Sequence, residues 1–374
     1  MSVELLILFS LTLAATVFVL VVSVGLVIHK ALHVRREVRR KKLYQEYATL
    51  FAEKLLEPLP PLPPRAKTSA IFEQYENLIL PLKQRLAELS RKQREEHRAV
   101  MRMVLIDFAR DLSGDATDRL VYFFYSFKFV EDHIKLIGSR HWWIRAQAAR
   151  DMGLVRARKS LAALTAALED PHPDVRNQAM RSLLAIIGVE ALRTIFRISR
   201  NMTRWSQIEL STHIVQFKQE AVPYLLEGLA SPDKTVVSFC VEMLGEIGFV
   251  DAVEPLLQLA RTNDDSDLRI RIVESLGRIG DERSVPLLRE FARNLHAPLR
   301  LKAIDVLGRL HSVESIPLML ELFQEGDLEQ KLTTARAILK CGAVGAEVLE
   351  TFRLVGNQIV NQILDEVFEE AQWA

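Results

Sequence analysis

Four prolines set the beat that most constrains this chain. Pro223, Pro255, Pro286 and Pro317 follow one another at intervals of 32, 31 and 31, and each opens an apolar run such as Val285-Pro-Leu-Leu. Arginine keeps the same phase: Arg145 and Arg176 lie 31 apart, and Arg269 and Arg300 fall three and four periods after Arg176. A period of this length marks a solenoid, in which each short unit buries its apolar face only against its neighbours. Such folds present long surfaces, so the pattern points to binding or scaffolding before it points to catalysis.

The units can be read in outline. Helix pairs are expected from about Asp118, first an irregular pair over Asp118–Phe127 and Val130–Ile137, then units beginning near 139, 171, 203, 232, 264, 296 and 327. In the best-formed unit Leu268, Ile272, Leu276 and Ile279 share a helix face, and Leu299, Ala303, Leu307 and Leu310 repeat them one period later. Gly248 and Gly280 fit the left-handed position that ends a helix. Gly245, Gly277 and Gly308 fall within the last turn, where a missing side chain permits close packing. The proline opens the second helix, because its absent N–H would be unpaired there anyway. Counting back 32 from Gly245 and Gly248 reaches His213 and Gln216, so the unit near 203–230 lacks the glycine pair, which implies a local bend or a wider loop.

Val175-Arg-Asn-Gln-Ala, Leu244-Gly-Glu-Ile-Gly, Leu276-Gly-Arg-Ile-Gly and the recurring Val/Ile-Pro-Leu resemble HEAT repeats of the phycobilisome-lyase-like type over roughly 118–350. The resemblance implies an all-α fold, an α-solenoid of helix pairs, and leaves function open. It offers a bilin-lyase-like enzyme or subunit, which would bind a tetrapyrrole, and a nucleic-acid binder like the HEAT-like DNA glycosylases. Similar anchored HEAT-repeat proteins imply a bacterial setting beside a membrane enzyme complex, such as a polysaccharide glycosyltransferase.

Ahead of the repeats, Leu5 to Ile28 form 24 positions without a charge. A helix of that length, at about 1.5 Å per residue, crosses the roughly 30 Å hydrocarbon core. Lys30, Arg35, Arg36, Arg39, Arg40, Lys41 and Lys42 follow it, whereas Glu4 is the only charged side chain before it. Cationic flanks stay cytoplasmic, so the expected arrangement is a single-pass inner-membrane protein with its N-terminus outside and its repeats inside. The same cations can also touch anionic lipid. Cys240 and Cys341 lie in apolar helical stretches and suit a reducing compartment.

The expected division is therefore an anchor and basic flank over 1–42, a juxtamembrane helix and Pro-rich spacer over 43–70, and a charged helix over 71–117. The solenoid occupies 118–352 and a capping helix 353–374. The spacer, Pro58-Leu-Pro-Pro-Leu-Pro-Pro64, suits polyproline II and would decouple anchor from solenoid. Pro81 should kink or start the charged helix, which either caps the first repeat or pairs with another chain. In the capping helix, Val360, Ile363, Leu364, Val367 and Phe368 should face the last unit and Asp365, Glu366, Glu369 and Glu370 the solvent.

Catalytic signatures are not found. None of the nine histidines precedes a glutamate, so the His-Glu metal motifs of the HEAT-repeat deoxyhypusine hydroxylases are missing, and no HExxH, CxxC, P-loop or GxSxG occurs. No catalytic residue, metal ligand or cofactor is expected, and the chain is read as a non-enzyme. Charge is uneven. Residues 139–204 carry 12 Lys/Arg against 5 Asp/Glu, and residues 205–374 carry 16 against 27, a net −11 that argues against nucleic acid.

The candidate partner-binding residues are Arg193, Arg197, Arg200 and Arg204, at i, i+4, i+7 and i+11, expected on one face of a second helix lining the concave groove. A merely solvated face is the plainer reading. Trp142 and Trp143 suit packing, though one of two adjacent residues on a helix must leave the buried face. The in-phase arginines suit inter-repeat ladders, with Asp174/Arg176 and Asp267/Arg269 each at a spacing of two.

Overall fold

The computed structural model describes residues 3–59, 68–200, 202–356 and 358–373, with no side-chain detail before Thr16. All regular structure among them is helical. The chain divides into two compact units, Met1–Ala163 and Leu164–Ala374.

The first unit begins with α1 (Val3–Leu56), followed by α2 (Thr68–Glu88), α3 (Arg91–Phe108), α4 (Asp115–Ser126), α5 (Phe129–Ile137) and α6 (Trp142–Leu154). The anchor and the juxtamembrane helix are one helix of 54 residues, about 80 Å long at 1.5 Å per residue. From Phe18 to Lys42 every side chain on it is exposed. One turn later its character changes. Tyr47, Phe51 and Leu55 are 1 %, 0 % and 2 % exposed and form the centre of the unit with Met101, Leu105 and Phe123. Tyr47 Oη lies 2.6 Å from His97 Nδ1 on α3, and Tyr44 donates to Asp107 at 2.9 Å. The buried Arg119 of α4 donates to the carbonyls of Leu55 and Glu57 at 3.1 and 2.5 Å, satisfying the open end of α1. The expected decoupling of anchor from globular part is thus corrected. The same helix runs from the apolar stretch into the core of the first unit, and the proline run lies after that junction, with residues 60–64 outside those described.

The charged helix expected over 71–117 is two, α2 and α3. Pro81 sits inside α2 without ending it. The break falls at Leu89–Ser90, where Ser90 and Gln93 form a reciprocal capping box. Of these, α3 packs on α1 together with α4, and α2 packs on α4 and α3, so the stretch is built into the first unit.

After α7 (Leu161–Ala167), the second unit runs through α8 (Pro173–Ile187), α9 (Ala191–Ile198), α10 (Arg204–Phe217), α11 (Val222–Gly228), α12 (Lys234–Ile247), α13 (Val253–Thr262), α14 (Ser266–Ile279) and α15 (Val285–Phe291). It ends with α16 (Ala297–Arg309), α17 (Ile316–Glu325), α18 (Leu328–Lys340), α19 (Ala343–Val355) and α20 (Gln358–Trp373). First helices are even-numbered from α8 to α18, and they start close to the expected unit boundaries. The last pair is α18 and α19, so the boundary expected at 352/353 moves to Gly356. The terminal helix α20 packs on that pair with Ile363, Leu364 and Val367 buried.

A residue with positive φ keeps its own beat. Gly188, Lys218, Gly248, Gly280, His311 and Gly342 all have positive φ, at intervals of 30, 30, 32, 31 and 31 along the chain. Each falls where a first helix turns into its short 3₁₀ connection or second helix. Two of the six are not glycine, which hid the pattern in the sequence.

The in-phase arginines hold backbone carbonyls ahead of their own helices. Arg176 donates to the carbonyls of Asp170 and Pro171 at 2.8 and 3.0 Å, and Arg300 to those of Asn294 and Leu295 at 2.9 and 3.3 Å. Arg145 does the same to Ser139 and Arg140 in the first unit. Arg269 varies the theme, donating to Ala260 O at 3.1 Å and to Asp264. The constant phase therefore tracks a backbone need, and Arg300 also links two units, its Nε donating to Gln330 of α18 at 2.8 Å.

Candidate partner-binding face

Close packing of the first helices builds one face of the second unit. A Cβ on Gly245 would lie 2.7 Å from Ser275, one on Gly277 2.8 Å from Val306, and one on Gly308 2.5 Å from the Cα of Ala337. Glycine thus sets the spacing of α12, α14, α16 and α18, which pack directly along the stack, while α13, α15 and α17 stand farther apart. The first helices are thus the closely packed layer of the second unit.

On this layer several charges pair between neighbouring first helices. Glu246 meets Arg278 at 3.0 Å, Asp305 meets Lys340 at 2.9 Å, and Glu242 pairs with Arg271. Glu274 gathers Arg309 at 2.8 Å and Lys302 at 3.2 Å. Burial works to raise the Glu274 pKa, but those two cations more than offset it and hold the carboxyl below its usual range. Arg336 closes the series with two bonds to Glu370 of α20, at 2.8 and 2.7 Å.

The ladder is interrupted at α10. Its helix cap Thr203 and the cap Asp233 of α12 are equivalent, and the period between them is 30. The residues equivalent to Gly245 and Gly248 are therefore Val215 and Lys218, not His213 and Gln216. Val215 cannot approach a neighbouring helix as glycine does, so α10 and α12 pack less closely than the later first helices. The second helices α9 and α11 come together instead. Gly228 allows this, since a Cβ there would lie 2.4 Å from Cys240 and 3.3 Å from Phe196. The expected local bend is thus a change in which layer is tight. Its consequence is an open apolar stripe: Trp205, Ile208 and Val215, on one face of α10, are 63 %, 54 % and 52 % exposed. Sequence reasoning missed this face because the two-residue slip assigned the wrong positions. An N-cap alignment would have found it.

The four arginines are not on one helix face. Arg193 and Arg197 belong to α9, which ends at Ile198; Arg200 follows it, and Arg204 is the first residue of α10. The Ser199 cap, at ψ 135°, breaks the periodicity that the spacing assumed. Arg193 is engaged, with two 2.8 Å bonds to Glu227 and its guanidinium 5.2 Å from the Tyr224 ring centroid. Arg197, Arg200 and Arg204 are exposed, and among the described residues no ion pair involves them. Lys234, the counterpart of Arg204, does reach the next cap, Asp265, at 2.9 Å. In the first unit Trp142 and Trp143 are 38 % and 54 % exposed, so packing does not absorb them, and Trp143 stacks on His141 at 4.5 Å.

The bond from Arg193 holds the Glu227 carboxyl below its usual pKa. Such a group adds stability above the unfolded carboxylate pKa and loses it as pH falls through the folded value. An Arg193→Gln variant should return Glu227 to the ordinary range and remove that acid-side loss. Carboxyl carbon shifts followed by NMR titration check this; an unmoved Glu227 would show that the pair does not persist in solution.

A family model for HEAT repeats matches residues 130–203, 222–303 and 253–339, together just over half of the chain. The chain belongs to the HEAT-repeat family. Residues 204–221, which HEAT matching skips, are α10 and its connection. No curated protein matches the chain. Among solved structures, an engineered protein is 18 % identical with a TM-score of 0.35, covering 75 % of this chain and 85 % of that one. The CpcE–CpcF phycocyanin lyase complex from Nostoc sp. PCC7120 is also 18 % identical, with a TM-score of 0.27 over 64 % of this chain and 94 % of that one. Kap121p bound to Pho4p is 11 % identical at a TM-score of 0.35, over 86 % of this chain and 45 % of that longer one. A HEAT solenoid of this kind is suited to protein binding.

Proposed function

We propose that this chain is a single-pass membrane protein whose HEAT solenoid, on the cytoplasmic side, binds a protein partner and holds it at the membrane. The solenoid acts by binding and not by catalysis, as a scaffold for a membrane-bound assembly. One observation carries the reading. A single helix runs from exposed apolar side chains between Phe18 and Ile28, through Lys30, Arg35, Arg36, Arg39, Arg40, Lys41 and Lys42, into the buried core of the first unit. That helix is long and apolar enough to cross a membrane. Cations on one flank favour keeping that flank in the cytoplasm of a bacterial inner membrane. Lys30, Arg35 and Arg36 fall within about 12 Å of Ile28 along the helix, where anionic head groups can meet them.

A reporter pair fused after Ala374 tests the orientation. Cytoplasmic fluorescence without periplasmic phosphatase activity is expected. The opposite pattern would overturn the assignment of side.

A further inference from the structure

We propose that the exposed face of α10 is the docking site for an amphipathic helical segment of a partner protein, with an acidic end that meets Arg200 and Arg204. This rests on the reading of the chain as a protein-binding solenoid and names the surface and the chemistry of the occupant.

Three observations converge on α10. Trp205, Ile208 and Val215 fall at i, i+3 and i+10, a row about 15 Å long, and each is more than half exposed. The stripe matches a partner helix of about ten residues with apolar groups at three- and four-residue spacing. Tryptophan in such a contact contributes large apolar area with few rotors to immobilise. Elsewhere on the first-helix layer the corresponding surface is occupied by paired charges, Glu242 with Arg271 and Asp305 with Lys340, so those positions have their partners within the chain. On α10 the acid Glu209 is likewise taken, by Arg181.

Charge selects the occupant. Arg200 and Arg204 lie exposed at the N-terminal end of α10, where the helix dipole favours anions and a cation adds nothing to helix stability. The opposite end carries Lys218 and Glu220, which balance. A second copy of this chain is a poor occupant. A parallel pairing of two α10 faces sets arginine against arginine, and an antiparallel one offers the arginines an end without net charge. A partner segment whose apolar row leads into aspartates or glutamates satisfies both features, and complementary charge would set its direction along the stripe.

Photo-crosslinking of the full chain in its native membrane tests this. Benzoylphenylalanine replaces Ile208 in one protein and Leu295, 97 % exposed on a loop of the same unit, in a control. An adduct at 208 and none at 295 is expected, and sequencing of the crosslinked peptide should find apolar residues at helical spacing beside an acidic cluster. Adding Trp205→Ala should lower the adduct yield at least tenfold with an unchanged melting curve. Arg200→Glu with Arg204→Glu should lower it similarly, and serves if the tryptophan variant fails to fold. No adduct at 208, an adduct to lipid or to a second copy, or a crosslinked peptide without acids would overturn the proposal. A partner that still co-purifies stoichiometrically while position 208 stays unlinked removes the α10 assignment and leaves the protein-binding reading standing. Absence of any bound protein removes both.

Discussion

A chain that starts at Lys30 folds its first unit, and a chain that starts at Lys67 does not. The difference is the C-terminal third of α1. Tyr47, Phe51 and Leu55 are all but fully buried, and removing a single buried phenylalanine side chain costs about 3–5 kcal/mol. Loss of three such side chains matches or exceeds the roughly 5–15 kcal/mol by which a whole domain is stable. The deletion also strands Arg119, which is 8 % exposed and bonded to the end of α1, and a buried charge without its partners is strongly destabilising. Circular dichroism melts and limited proteolysis of the two truncations read the effect. Within the longer one, Phe51→Ala should lower unfolding free energy by about 3–5 kcal/mol. Equal melting of both truncations would show that α1 only docks on a finished unit.

The second large effect is at the glycines. Gly308→Ala would place a Cβ 2.5 Å from Ala337 Cα and 2.9 Å from its carbonyl oxygen. Backbone cannot step aside, so overpacking should outweigh the helix propensity gained, about 1 kcal/mol, and leave a net loss of about 1–3 kcal/mol. Gly277→Ala meets side-chain atoms instead, the two Val306 methyls at 2.8 and 2.9 Å and Arg309 Nη2 at 3.2 Å. Trimming Val306 to alanine should therefore rescue Gly277→Ala, with a favourable coupling of at least about 0.5 kcal/mol in a double-mutant cycle. The same trimming should do nothing for Gly308→Ala. Additive Gly277 and Val306 effects would mean that the first helices relax apart and that glycine does not set their spacing.

These sites show what the sequence made legible. Gly245, Gly277 and Gly308 were readable as close-packing positions because the steric demand admits one residue type. Gly248 and Gly280 were readable as left-handed for the same reason. Lys218 and His311 take a positive φ at the same point of the repeat without being glycine, so the beat vanished wherever tertiary structure imposed it. The unit around α10 was misaligned by two residues for this reason, and its exposed stripe went unseen. The arginine row failed differently. Spacing can place Arg193 to Arg204 on one face only if the helix continues, and nothing in the residues announced the end at Ile198. The continuity of α1 was hidden by composition: the change from apolar to basic to amphipathic reads as three segments, although no residue between Val3 and Leu56 breaks a helix.

Placing Tyr47, Phe51 and Leu55 on the anchor helix has a mechanical consequence. The core of the first unit sits at a fixed distance along α1 from the apolar stretch, about 28 Å between Ile28 and Tyr47 at 1.5 Å per residue.

Native mass spectrometry of the full chain released from its own membrane in detergent tests the central claim most directly. The account predicts a membrane-extracted species whose mass is the 42.6 kDa chain plus a defined second polypeptide. The added mass should be lost when Trp205 and Ile208 are replaced together, while the chain stays folded. A chain that leaves the membrane without detergent, or that emerges from it bare at every protein concentration, would contradict it.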